Sequence, residues 1–268
     1  MPEFLPEVAV VCIVLFVAWT VRYIGRGQFA LRAVMSAHKR GDHATALRKA
    51  DGLKRTPAEP APYFFFRGAS LYHLGRLDEA EKTLREGLSH EKDDHAAALV
   101  RETLGTTLLE EGRYDEARAC FEDCARSMPN RGGGHRAVAE LLLRKGACAE
   151  EALARARQAV DMDRSAPVWN HDVHRLNLSE SLATLAWAVA ALSGNAEEVE
   201  RLLSEAFALC GTDVKPVLAQ LHYHAGRAYS ALGKPEKGSH HFVEAVRADP
   251  AGNFGRLARA HEQAGQPR

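Results

Sequence analysis

The chain has 268 residues, of which 46% are hydrophobic and 26% are charged, a composition typical of a folded protein rather than a disordered one. Its 35 Lys and Arg residues balance its 35 Asp and Glu residues, and a chain without excess positive charge is a poor candidate for binding nucleic acid. Only 18 Val and 2 Ile residues are present, too few β-branched residues for a sizeable sheet, so the sequence predicts an all-α protein.

The first predicted element is a membrane anchor over residues 4–24. Residues 8–21 form an uninterrupted uncharged stretch, which apolar residues extend on both sides. A helix over residues 4–24 would be roughly 31 Å long, which matches the hydrocarbon core of a bilayer at about 30 Å. Trp19 and Tyr23 lie near its end, where aromatic side chains favour the membrane interface.

A cleaved signal peptide is the main alternative for this segment. Residues 1–7 contain no Lys or Arg, and no small-residue cleavage motif follows the apolar stretch, so an anchor is favoured. Several basic residues follow the stretch before the first acidic residue, Asp42, whereas Glu3 and Glu7 precede it. By the positive-inside rule, the rest of the chain is expected on the cytoplasmic side, as in a single-pass protein of a bacterial inner membrane.

The rest of the chain is predicted to be one structural unit repeated about six times. A glycine marks a turn in each unit, at Gly41, Gly75, Gly112, Gly146, Gly194 and Gly233. Mostly small residues recur seven positions before and five positions after these glycines. The stripe continues four residues beyond the second of these positions and again three residues beyond that. Such spacing places side chains on one face of a helix. Each unit is therefore predicted to have a turn at its glycine and a helix with one packed face after it.

This pattern resembles the tetratricopeptide repeat (TPR), a helix-turn-helix unit of about 34 residues. The resemblance is strongest in three stretches, Phe64–Leu88, Arg101–Pro129 and His222–Pro250. It implies a right-handed α-solenoid with units near residues 27–60, 61–94, 98–131, 132–166, 180–213 and 219–252. Residues 167–179 are expected to be an insertion in the array, and residues 253–268 a capping helix and tail.

In TPR proteins the concave face commonly binds a segment of a partner protein, and the first helix of each pair lines that face. Aligning the units on their glycines places these residues there: Phe65, Tyr72, Glu102, Thr106, Arg136, Glu140, Tyr223 and Arg227. Arginine suits a carboxylate on the partner, and tyrosine suits the centre of an interface. The alternative is that both arginines are solvated or are paired with Glu102 and Glu140.

Candidates for metal or catalytic chemistry are weak. The cysteines are Cys12, Cys120, Cys124, Cys148 and Cys210. They form no Cys-x-x-Cys motif and no spacing for four zinc ligands, which fits a reducing compartment. His171, Asp172 and His174 form the one tight group with ligand chemistry, within the predicted insertion. Their geometry is not fixed by the sequence, so no metal, no cofactor and no catalytic residue is predicted.

The sequence therefore predicts a membrane-anchored TPR scaffold that binds a protein partner on its concave face and the lipid bilayer through residues 4–24. It is not expected to be an enzyme or to bind nucleic acid. Two other functions stay open. One is a metal-dependent hydrolase centred on residues 167–179, and the other is a receptor of the mitochondrial outer-membrane type, which has a similar layout.

Overall fold

The computed structural model describes residues 27–53, 60–90, 94–168 and 170–265. Most of these residues are helical, and no strand occurs within the described ranges, so the all-α prediction is confirmed. Helix α1 is described over residues 27–39. It is followed by α2 (His43–Leu53), α3 (Pro60–His73), α4 (Leu77–His90), α5 (Asp94–Glu110), α6 (Tyr114–Ser127), α7 (Gly133–Lys145), α8 (Ala149–Ser165), α9 (His171–Leu192), α10 (Ala196–Cys210), α11 (Lys215–Ala231), α12 (Pro235–Ala248) and α13 (Asn253–Gly265).

The helices form two-helix units that stack side by side. Helix α3 packs on α4, α5 on α6, α7 on α8, α9 on α10 and α11 on α12. The first helices of successive units also pack on one another, from α3 through α5, α7, α9 and α11 to α13. They make up an inner row, while the second helices make up an outer row. The result is an α-solenoid with one hydrophobic core that continues from unit to unit.

The six glycines predicted to mark turns end the first helix of each pair. Their φ angles lie between 63° and 76°, in the left-handed region where a side chain is strained. At Gly146 the backbone N–H donates to the carbonyl oxygens of Leu142 and Leu143 and so closes the last turn of α7. Glycine therefore lets the chain leave one helix and begin the next within a few residues.

Three further glycines set the distance between the helices of a pair. Leu84 packs on Gly68, Phe121 on Gly105 and Phe242 on Gly226. A Cβ atom at Gly68 would lie 2.4 Å from its neighbour, and one at Gly105 or Gly226 would lie 2.5 Å away. Real contacts are not that short, so only glycine permits this close approach. These three glycines occupy the small-residue position seven residues before the turn glycine of their units.

Helix α9 includes part of the segment expected to interrupt the array. It begins at His171, ahead of residue 180, where the fifth unit was expected to start. The side chain of Asn170 accepts hydrogen bonds from the backbone N–H groups of Asp172 and Val173. This cap satisfies donors that a helix start otherwise leaves free. Residues 171–179 thus form the first turns of an inner helix instead of a separate loop.

The two ends of the array meet. Nε2 of His43, at the start of α2, lies 2.8 Å from Oδ2 of Asp249, which follows α12, and both side chains are buried. In α13, Arg256 donates hydrogen bonds to the backbone carbonyl oxygens of Tyr72 and His73 at the end of α3. The solenoid therefore closes on itself, and the inner row surrounds a narrow interior.

The predicted membrane anchor, residues 4–24, lies outside the described residues. Among the helices that are described, none combines the length and the apolar character needed to cross a bilayer.

Candidate functional site

The inner row of helices surrounds a cleft of about 250 Å³. Residues predicted for the concave face line much of it: Phe65, Tyr72, Glu102, Thr106, Arg136 and Glu140. Arg144, Glu180 and Phe254 also line it, and so do His38 and His73. An α-helix with its side chains is about 10–12 Å across, so this cleft, here called the interior cleft, is too small to admit one.

Arg136 is at the centre of an ion-pair network beside the interior cleft. Its Nη2 atom lies 2.8 Å from Oε1 of Glu102 and 3.2 Å from Oε2 of Glu180, and its side chain is only 14% exposed. Burial acts to lower the pKa of the guanidinium, but Glu180 and Glu102 outweigh it and raise that pKa. Burial also raises the pKa of the Glu180 carboxyl, which Arg136 only partly offsets. Arg136 thus contacts Glu102, the pairing that the sequence left open as the alternative.

A second network joins α5, α7 and α13. Arg144 donates hydrogen bonds of 2.6 and 3.1 Å to the two carboxylate oxygens of Glu110, a bidentate geometry that suits the planar guanidinium. The side-chain amide of Asn253 donates to the same carboxylate at 2.9 Å and to the hydroxyl oxygen of Tyr72 at 2.6 Å. These bonds fix the start of α13 against the interior.

Glu140 is a buried carboxylate on α7. Its Oε2 atom lies 3.5 Å from Nε2 of His224, and its Oε1 atom lies 3.9 Å from Nη1 of Arg144. Burial acts to raise the pKa of this carboxyl, but His224, Arg144 and Arg136 together lower it to about 2. The carboxylates of these networks belong to Glu102, Glu110, Glu140 and Glu180, and the guanidinium groups to Arg136 and Arg144. In the lining of the cleft itself, the three carboxylates of Glu102, Glu140 and Glu180 outnumber the two guanidinium groups by one.

The other two residues predicted for the concave face lie on α11, outside the lining of the interior cleft. Tyr223 is 1% exposed, and its ring packs against Trp187 and Phe254. The guanidinium carbon of Arg227 lies 4.4 Å from the centroid of the Trp187 ring. Its Nη1 atom donates to the Tyr223 hydroxyl at 3.1 Å and lies 3.2 Å from Nε2 of His261. Both residues pack α11 against α9 and α13.

The weak metal candidates lie on the first turns of α9. His171 and Asp172 are exposed, and Asp172 pairs with Arg175 at 3.7 Å. His174 is half-buried and lines a second cleft of about 410 Å³, between the α6–α7 turn and α9. Within the described residues, these three side chains do not form a group close enough to hold one metal ion.

A different group of ligand-type side chains does converge, and the sequence did not single it out. His38, His43 and His73 offer ring nitrogens that all lie within 4.8 Å of one another. The sequence does show that His38 and His73 occupy similar positions in their units, shortly before the turn glycines Gly41 and Gly75. Both therefore fall at the end of an inner helix, but the repeat pattern does not show that these ends meet at His43.

Comparisons with known proteins agree with this architecture. Two family models, both described as tetratricopeptide repeat, match residues 63–130 and 219–251. No sequence among curated proteins matches the chain. The two matched stretches thus resemble tetratricopeptide repeats, in agreement with the repeat pattern of the sequence.

Solved structures share the fold at low sequence identity. One is a thermophilic TPR protein of Thermus thermophilus, which is 18% identical, with a TM-score of 0.52 over 76% of this chain and 97% of that one. Another is the Cut9–Hcn1 hetero-tetramer of the APC/C, which is 12% identical, with a TM-score of 0.58 over 89% of this chain and 46% of that one. These likenesses show a TPR-like all-α solenoid.

Proposed function

We propose that the protein is a non-catalytic scaffold that is held at a membrane by residues 4–24 and binds a segment of a partner protein at the interior cleft. The observation that carries this proposal is the convergence of all the inner helices on one cleft, at which Phe65 and Thr106 stay half-buried. The TPR-like fold supports it, because such arrays typically bind protein segments with their inner helices.

The charge of the cleft favours a basic group on the partner. Arg136 and Arg144 each contact carboxylates of this chain, so neither is free to bind a carboxylate on a partner. The surplus of carboxylates attracts a Lys or Arg side chain instead. Because the cleft is too small for a helix, the partner is proposed to insert such a side chain from an extended segment.

Photo-crosslinking tests the proposed binding site. A photoreactive amino acid at Phe65 is expected to capture a discrete partner in cells, whereas the same group at Lys82, exposed on the outer helix α4, is expected to capture none. Thr106→Arg places a competing cation in the cleft and is expected to abolish capture at position 65. Thr106→Ser keeps the hydroxyl that donates to the carbonyl oxygen of Thr103 and should preserve capture. Equal capture at positions 65 and 82 would contradict the proposal.

A separate experiment tests the anchor and its orientation. The full chain is expected to stay with the membrane fraction through an alkaline wash, and a chain without residues 1–26 is expected to be released. Protease added to intact spheroplasts should leave the array uncut, since the array is proposed to be cytoplasmic. Digestion of the array, with a cytoplasmic control protein intact, would show the opposite orientation. Recovery of a released protein that lacks residues 1–21 would show a cleaved signal peptide.

A further inference from the structure

Three histidine rings pack together where the two ends of the array meet. His38 lies at the end of α1, His43 at the start of α2 and His73 at the end of α3. The rings of His43 and His73 are stacked, with centroids 4.3 Å apart, and His38 meets both rings edge-on, at 5.7 and 5.2 Å. The ring nitrogens that could act as ligands all lie within 4.8 Å of one another.

The Nδ1 atoms of these rings have no hydrogen-bond partner among the described residues. In His38, His43 and His73 alike, Nδ1 is buried, and no described group forms a hydrogen bond to it. Buried polar atoms are normally paired, so three such atoms in one cluster call for an explanation. An imidazole nitrogen that carries no proton offers its lone pair to a metal ion.

Asp249 determines which nitrogen of His43 is available. Its Oδ2 atom lies 2.8 Å from Nε2 of His43, so Nε2 carries the proton and donates it to the carboxylate. In the neutral imidazole, Nδ1 then keeps its lone pair. Histidines that bind metals commonly donate their other ring N–H to a carboxylate in this way. The Asp249 carboxylate is itself held by the backbone N–H of Gly252, which donates to Oδ1 at 3.0 Å.

We propose that His38, His43 and His73 bind one divalent transition-metal ion of the zinc type, each through a ring nitrogen, and that Asp249 positions His43. Three neutral imidazoles suit Zn²⁺, Co²⁺ or Ni²⁺, whereas Mg²⁺ and Ca²⁺ prefer oxygen ligands. A tetrahedral ion with Zn–N distances of about 2.0–2.1 Å requires nitrogens roughly 3.4 Å apart. The ring nitrogens lie up to 4.8 Å apart and the His43 and His73 rings are nearly parallel, so binding would require the rings to turn about their side-chain bonds.

The place of the cluster gives the ion a structural role. His38 and His43 belong to the first unit, His73 belongs to the second, and Asp249 lies at the end of the sixth. An ion held by the three rings would therefore tie the first two units together and strengthen the contact that closes the array. The site lies apart from the exposed His171, but His38 and His73 also line the interior cleft, so metal binding is measured directly and not through partner capture.

Metal titration of the full chain, purified and stripped of metal, tests this proposal. Co²⁺ is expected to bind with one equivalent and to give the intense visible absorption of a tetrahedral site, and Zn²⁺ is expected to displace it. X-ray absorption of the zinc-loaded wild-type chain should count three imidazole ligands, a measurement that needs no variant. One imidazole or none, or no stoichiometric binding, would overturn the proposal.

Variants assign the ligands. His73→Ala is expected to abolish stoichiometric Co²⁺ binding, and Asp249→Asn to weaken it roughly 10–100-fold. The matched control, His171→Ala with His174→Ala, removes two histidines outside the cluster and should leave the affinity unchanged. Far-UV circular dichroism shows that each variant is folded, and any that is not is replaced by His38→Gln. Loss of binding in the control with retention in a folded His73→Ala chain would place the ion on α9 and refute the proposed site.

Discussion

Replacing Phe121 with alanine is expected to lower the free energy of unfolding by about 3–5 kcal/mol. The Phe121 side chain is fully buried in α6, and its ring packs directly on Gly105 of α5. Its removal leaves a cavity between the two helices that a glycine cannot fill. Because neighbouring units stabilise one another, the loss is expected to reach beyond this pair. Denaturant unfolding followed by far-UV circular dichroism measures the change.

A second substitution at Gly105 tests the cause of this loss. Gly105→Ala alone is expected to destabilise the chain, because the new Cβ would lie 2.5 Å from the Phe121 ring. In the Phe121→Ala background, the same methyl group occupies part of the cavity, and alanine is favoured over glycine in a helix by about 1 kcal/mol. The double variant should therefore be more stable than Phe121→Ala. The control is Phe29→Ala, at a side chain that is 75% exposed, and an equal loss there would contradict the packing argument.

The helix pairs could be predicted because short-range contacts determine them. The turn glycines are required only by the left-handed backbone at the turn. Gly68 and Gly226 are required only by the large side chain, sixteen residues away, that packs on each of them. Both requirements recur from unit to unit, so they leave a periodic pattern in the sequence. Helix α9 departs from that pattern because the Asn170 cap starts it early.

The closure of the array could not be predicted in the same way. His43 and Asp249 are separated by 206 positions, and their contact depends on small rotations between units that add up along the whole array. No short stretch of sequence indicates the total rotation between the first and last units. The repeat pattern places the predicted concave-face residues on inner helices. It does not predict that Tyr72 is buried or that Arg136 is paired with Glu102. The histidine cluster was missed for the same reason.

Replacing Arg136 with methionine is expected to lower the free energy of unfolding at neutral pH by about 3–5 kcal/mol. Methionine retains most of the packing volume, but it leaves Glu102 and Glu180 facing each other with no cation between them. In the double variant Arg136→Met, Glu180→Gln, one of these charges is absent, so part of the lost stability should return. Arg126→Met is the control, since Arg126 is 71% exposed and pairs with Asp123 on the surface, where such pairs contribute about 0–1 kcal/mol.

The pH dependence of this loss separates unpaired charge from lost packing. Burial already raises the pKa of Glu180 with Arg136 present, and without Arg136 the folded-state pKa should rise further. The folded variant then holds a proton that the unfolded chain releases, so its stability falls as the pH rises through that raised pKa. Its deficit relative to wild type should be larger at about pH 8 than at about pH 5. In the wild-type chain His224 and Arg144, ahead of Arg136, lower the pKa of Glu140 to about 2, and the variant keeps both, so Glu140 is expected to stay ionised over this window. A deficit that does not change with pH would show that Arg136 stabilises the interior by packing alone.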